Sequence, residues 1–177
     1  MIAAVDAVLK DRICYRMHSP QWAWSPLSGA GAAKQGGRLN RAGIEALYLS
    51  SDTETAIAEY KQASSLLPPG TLVTYQISVD RVVDFSKGFS DQWDPLWRDL
   101  FCDWRRMVFA KKIEPPTWVI SDLCQAEGYK GALFSSTVNA GGTNLVVFTS
   151  ALSEDDRLTV FDPNGELPRN QTSWAKP

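Results

Sequence analysis

Histidine occurs once in the 177-residue chain, at His18. That leaves little material for a histidine-rich metal site or for a triad in which histidine is the base. Cysteine is almost as scarce. Cys14, Cys102 and Cys124 are odd in number, far apart and in no metal-binding spacing, so they read as reduced thiols in a cytoplasmic setting. No apolar run reaches the length of a membrane span. Asp6, Lys10 and Asp11 interrupt the N-terminal stretch where a secretory leader would be continuously apolar. No G-x-x-x-x-G-K-[ST] and no G-x-G-x-x-G is present, which removes the P-loop and Rossmann readings. No G-x-S-x-G elbow is present either. An excess of positive charge is also missing: 18 Lys and Arg face 20 Asp and Glu, for a net charge of −2. A nucleic-acid binder or a ribonuclease would carry a basic stripe, and this chain has none.

What is present is an α+β pattern in one domain, with a core spanning about residues 15–162 and a polar, proline-containing, loosely held tail at 163–177. ICYRMHS is a first strand. SPLSGAGAAKQGGRLN, rich in glycine and small residues, reads as a loop of roughly fifteen residues, a length that is usually functional inside a compact domain. EALYLS is a short strand, and Ser51 with Glu54 forms a capping-box pattern that starts a helix running to about Ala63. TLVTYQISV alternates, with Val73, Tyr75, Ile77 and Val79 on one face, as a half-buried strand does. From Asp94 to about Lys111, Trp97, Leu100, Phe101, Trp104 and Val108 recur at helical spacing and predict an amphipathic helix docking its aromatic face on the core. A further helix starts at Pro115–Pro116 and ends at Gly128. GALFSSTV and NLVVFTS follow as a hairpin joined through NAGG, and RLTVFD is a last strand.

Four residues on these elements carry chemistry. Glu59 sits roughly 60° from Ala56 on the helical wheel, at the border of the arc formed by Ala56, Ile57, Tyr60 and Ala63. A border carboxylate is partly desolvated and calls for a cationic or hydrogen-bonding partner. Arg38 follows Gly36–Gly37, where bare amides allow an anion to approach and a guanidinium can grip a phosphate in a fork. Tyr48 lies between Leu47 and Leu49 in a short strand, which suits a core tyrosine as well as a ring facing a ligand. Ser136, in FSST, has no histidine near it in sequence and reads as a hydrogen-bonding contact rather than a nucleophile.

In this order and spacing, Arg38 in GGRLN, Tyr48 in ALYLS, Glu59 in TAIAEY and Ser136 in GALFSST, followed by GGTNLVVF, resemble the RES-domain family, the toxin halves of bacterial toxin–antitoxin pairs. The resemblance spans about Tyr15 to Phe148. The chain departs from the family pattern at Leu39, where tryptophan is usual, and at Ser135, where proline is common. The resemblance implies a fold like that of mono-ADP-ribosyltransferase toxins and breakage of the nicotinamide–ribose bond of NAD, with phosphate, water or a protein as acceptor. In that picture Glu59 stabilises the oxocarbenium-like ribose, and Arg38 and Arg16, with Gly37, serve the two phosphates. Tyr48 flanks the nicotinamide, and Ser136 bonds the ribose or amide. NAD is then a substrate, inorganic phosphate a co-substrate, and no metal is required. The implied partner is a helix-turn-helix antitoxin that blocks the cleft and supplies any DNA contact, with a second copy of this chain as the other candidate. The competing reading, from another class, is a non-catalytic interaction module that uses the same residues as a buried ion pair and core packing.

Overall fold

The computed structural model describes residues 2, 4–62 and 64–174. Six strands form one sheet: β1 (Asp6–His18), β2 (Leu47–Ser50), β3 (Thr71–Phe85), β4 (Gly131–Ser135), β5 (Thr143–Val147) and β6 (Arg157–Val160). Three α-helices accompany it: α1 (Ala30–Gln35), α2 (Thr53–Lys61) and α3 (Pro116–Ala126). The sheet order is β1-β2-β5-β4-β3-β6, and β1 also pairs antiparallel with β3 along most of its length. β1 therefore touches both β2 and β3, through the single pair Tyr15↔Ser50 on the first side, and the sheet curls round on itself. Only β3–β4 is parallel, and the long β3–β4 connection carries α3.

Alternation along the short strands explains how so small a sheet is buried on both faces. Leu47 and Leu49 of β2, Leu133 of β4, and Leu145 and Val147 of β5 join Cys14, Val73, Tyr75 and Ile77 in the core inside the curl. Their neighbours Ala132, Phe134 and Val146, with Tyr48 packed alongside, face the other way, into a core shared with Phe85, Trp93, Trp97 and Ile120. Phe85 stacks on Trp97 at 5.1 Å and meets Trp93 edge-on at 4.7 Å. Trp93, Trp97 and Trp104 are all buried, so the aromatic segment packs the core and offers no tryptophan docking face.

Three sequence expectations are corrected. The glycine-rich stretch is not all loop, since it folds α1, which Gly36 ends with a φ of 81°. There glycine is needed twice over, because a Cβ would also lie 2.8 Å from the Trp118 ring. The cap of α2 is Asp52, not Ser51: its carboxylate accepts from the Thr55 N–H at 2.7 Å and from the Thr55 hydroxyl at 2.8 Å. Ser51 Oγ is instead taken by Arg12 Nη2. α2 is described to Lys61, and Ala63 lies outside the described residues. The segment 94–111 is not one helix but a 3₁₀ turn (Pro95–Asp99), a break, and a π turn (Arg106–Lys111). In a continuous helix the carbonyls of Leu100 and Cys102 would serve the N–H groups four residues on. Here Arg38 takes both, as described below.

The tail is tied at its start. Asp162 accepts from the N–H groups of Glu166 and Leu167, and Leu167 packs on the inner core. Residues 175–177 lie outside the described residues.

His18 is part of the frame. Tyr75 Oη donates to Pro26 O at 2.8 Å and accepts from His18 Nε2 at 2.6 Å, which fixes the ring as the Nε2–H tautomer. Burial, with Arg16 nearby, pushes its pKa down to about 4. The unfolded chain takes up a proton near pH 6.5 that the fold refuses, so this contribution to stability is complete above about 6.5 and is lost as pH falls towards 4. Unfolding free energies from urea titrations at pH 7.5 to 4.5 are expected to fall with a slope of up to ~1.4 kcal/mol per pH unit, and His18→Gln should flatten that component.

Candidate active site

A cleft of about 510 Å³ opens where β1, β2, α2, the α1–β2 connection and the 104–109 turn meet. Arg38, Tyr48, Glu59, Arg16 and Gly37 all line it. Ser136 stands between Ser135 and Thr137, which line it, and its hydroxyl donates to Glu59 Oε1 at 2.8 Å. The same hydroxyl accepts from the N–H groups of Val138 and Asn139 at 3.2 and 3.1 Å. Every bonding direction of the serine is used, and His18 is engaged elsewhere, on Tyr75.

Glu59 is placed by α2, which packs across β1 and β2. Its Oε1 also accepts from Asn144 Nδ2 at 2.5 Å, while Oε2 has no hydrogen-bond partner among the described residues. The β4–β5 turn that carries Ser136 is fastened to the start of α2, because Asn139 Nδ2 donates to Thr55 Oγ1 at 2.8 Å. This close approach requires Gly142, where a Cβ would lie 2.3 Å from Thr55 Oγ1. Thr55 is fully buried and tied to Asp52. Gly142→Ala is expected to cost about 1–3 kcal/mol in a denaturant titration by overpacking this junction.

Arg38 is anchored at one tip. Nη1 donates to Leu100 O at 2.7 Å and Cys102 O at 3.1 Å, and the group lies 5.8 Å from the Phe101 ring centroid. Burial pulls its pKa down from the usual arginine range, and Glu59 is among the groups that pull it back up. Tyr48 Oη donates to Asn40 Oδ1 at 2.8 Å and accepts from Leu39 N–H at 2.9 Å. Burial raises its pKa, so it remains a neutral phenol presenting its ring to the cleft. The amides of Gly36 and Gly37 are both spent inside the turn, on Ala32 O and Asn40 O. Gly37 therefore offers closeness rather than a free amide: a Cβ there would sit 2.5 Å from both Tyr48 Oη and Asn40 Oδ1. The turn is pinned from outside by Arg41, which bonds Glu114 and Asp122.

Arg16 lies on β1 and has the least support of the cleft's charges. Its Nη1 is buried and has no hydrogen-bond partner among the described residues. Burial pulls its pKa down, with the Tyr75 and Tyr48 hydroxyls opposing. Arg105, which sequence reasoning passed over, also lines the cleft, stacked 4.7 Å over the Trp104 ring. Asn144 was passed over as well, although it stands in the quoted stretch GGTNLVVF. An amide standing directly before the apolar run Leu145–Phe148 is the signal that could have found it, and the structure buries it at 6% exposure. Of the two family departures, Leu39 is buried in the core, and Ser135 Oγ donates to Ser86 O at 2.9 Å. Neither change removes a charge from the cleft.

Three guanidinium groups and one carboxylate are the charged side chains of this lining, a net of two positive charges in a chain whose total is −2. The arrangement suits a dianion held near a carboxylate and a flat ring against Tyr48.

A family model described as RES domain matches residues 13–170, and the chain belongs to the RES-domain family. A search of curated proteins gave no match. Among solved structures the chain is similar to one from the crystal structure of the M. tuberculosis MbcT–MbcA toxin–antitoxin complex, with a TM-score of 0.54 and 18% identity. The likeness covers 89% of this chain and 84% of that one and establishes a shared fold. The single α+β domain with one mixed sheet is thus the architecture expected from the sequence.

Proposed function

We propose that this protein is the toxin of a toxin–antitoxin pair and acts by cleaving the nicotinamide–ribose bond of NAD. The observation that carries the reading is the charge pattern of the cleft: Arg16, Arg38 and Arg105 face a site whose lining holds one carboxylate, Glu59, with one oxygen that has no hydrogen-bond partner among the described residues. The pyrophosphate of NAD carries about two negative charges, which matches the net charge of this lining. Tyr48 supplies a flat face for the nicotinamide. As nicotinamide leaves, positive charge develops on the ribose, and a fixed carboxylate oxygen beside it stabilises that charge without having to reorganise. Holding both ends of the dinucleotide adds the benefit of orientation. ADP-ribose then passes to phosphate, water or a protein side chain. Ser136, engaged with Glu59, serves here by aiming the carboxylate rather than by touching the sugar.

An enzyme that consumes NAD needs restraint, and the partner of this reading is a helix-turn-helix antitoxin that covers the cleft. Charge complementarity favours an acidic segment of that partner over Arg16, Arg38 and Arg105. DNA contact falls to the antitoxin, as this chain has no basic excess. The test is nicotinamide release from NAD by the purified protein, with and without inorganic phosphate, and with the ADP-ribose product identified. Stoichiometric nicotinamide and a phosphate-dependent product would assign phosphorolysis. Free ADP-ribose would assign hydrolysis, and label retained on protein would assign modification. No nicotinamide in any arm would return the chain to the interaction-module reading.

A further inference from the structure

We infer that Asn144 is a positioning residue for the reaction: it clamps the Glu59 carboxylate so that Oε2 alone is presented to the cleft. The inference rests on the NAD-cleaving reading for its kinetic test, and on geometry alone for its structural one. Ser50 and Asn144 are directly opposed across the β2–β5 ladder, at the strand ends nearest α2. Directly opposed residues share a face, so this buried polar pair points the same way, towards Glu59. Ser50 is 4% exposed and Asn144 6%, beside the buried Leu47, Leu49, Leu145, Val146 and Val147 of the same two strands. Burying an amide there is costly unless its bonds are made.

They are made in sequence. Ser50 Oγ donates to Asn144 Oδ1 at 2.9 Å, which fixes the amide so that its NH₂ faces α2. Asn144 Nδ2 donates to Glu59 Oε1 at 2.5 Å, and Ser136 Oγ donates to the same oxygen at 2.8 Å. Both donors fall on Oε1, so the carboxylate is locked in rotation and its second oxygen keeps its lone pairs for the reacting ribose. An unclamped glutamate would spread over rotamers and lose that aim, and a misplacement of this kind acts on turnover more than on binding. The chain of bonds joins β2, β5, α2 and the β4–β5 turn, so the aim is set by four elements rather than by the glutamate's own torsions.

The test compares Asn144→Ala, the isosteric Asn144→Asp and Ser50→Ala in steady-state nicotinamide release. Asn144→Ala is expected to lower kcat about 10- to 100-fold with KM within about twofold. Asn144→Asp should do at least as much, because it removes the donor and sets a second carboxylate against the first. Ser50→Ala should fall between these and wild type. In a Glu59→Gln background the Asn144→Ala change should cost less than about threefold, since a residue acting through another is not additive with it. Independent multiplication of the two losses, or a rise in KM with kcat intact, would overturn the assignment. A readout free of catalysis is the Asn144 side-chain amide in ¹⁵N NMR of the full chain. One amide proton slow to exchange in wild type and in Ser136→Ala, but released in Glu59→Ala, is the expected result. Unchanged exchange in Glu59→Ala would overturn the clamp even if NAD is cleaved. A wild type that cleaves no NAD but shows the protected proton would leave the clamp standing and remove the reaction.

Discussion

Glu59→Gln is expected to reduce turnover of NAD on the order of a hundredfold or more, while leaving the Michaelis constant within a fewfold of wild type. The substitution retains the size of the side chain, and its amide oxygen can still accept from Asn144 and Ser136, so the clamp and the cleft should persist. What disappears is the negative charge beside the ribose. Charge on the sugar develops only as nicotinamide departs, so the loss falls on the transition state and spares the ground state. Initial rates of nicotinamide release over a range of NAD concentrations separate the two constants. An effect confined to KM would mean that the carboxylate binds the substrate but does not assist departure.

Arg16→Met should have the opposite signature: KM raised at least tenfold, with a fold as stable as wild type or more so. Arg16 Nη1 is buried without a partner among the described residues, and burial works against its charge. Removing an unpaired buried cation relieves a desolvation cost, and an apolar chain of similar length fills the space. The phosphate charge it would serve is present in substrate and transition state alike, so its loss weakens binding throughout. Arg38→Ala mixes two effects, because Arg38 also holds the carbonyls of Leu100 and Cys102. Thermal melts beside steady-state kinetics check the prediction. A marked loss of stability in Arg16→Met would show that the cation supports the fold rather than a ligand.

The parts of the molecule that follow from short-range pattern were legible from the sequence. The alternation of TLVTYQISV, the apolar ALYLS and GALF runs and the glycine turn between β4 and β5 each specify their strand locally. Arg38, Tyr48 and Glu59 do share one cleft, and Ser136 is hydrogen-bonded to the Glu59 carboxylate. The misses arise where tertiary contacts decide. Ser51 and Asp52 are both sound helix caps, and the choice fell to Asp52 because Arg12, from a distant strand, occupies Ser51. The aromatic spacing from Trp97 to Val108 fits a helix, yet Arg38 takes carbonyls that the helix would need. β1 begins at Asp6 because its early residues Val8 and Lys10 face outward while Leu9 is buried. Charges on the outward face hid that pattern. Arg105 gave no signal, since an exposed arginine beside an aromatic is common and only the third dimension turns it into the cleft.

The most direct measurement is a crystal structure of this protein with an NAD analogue whose nicotinamide ribose has carbon in place of its ring oxygen, which resists cleavage. The pyrophosphate is expected among Arg16, Arg38 and Arg105, the nicotinamide against Tyr48, and the C1′ side of its ring beside Glu59 Oε2, with Asn144 and Ser136 still on Oε1. A dinucleotide bound elsewhere, or one in this cleft with its scissile bond turned away from Glu59, would contradict it.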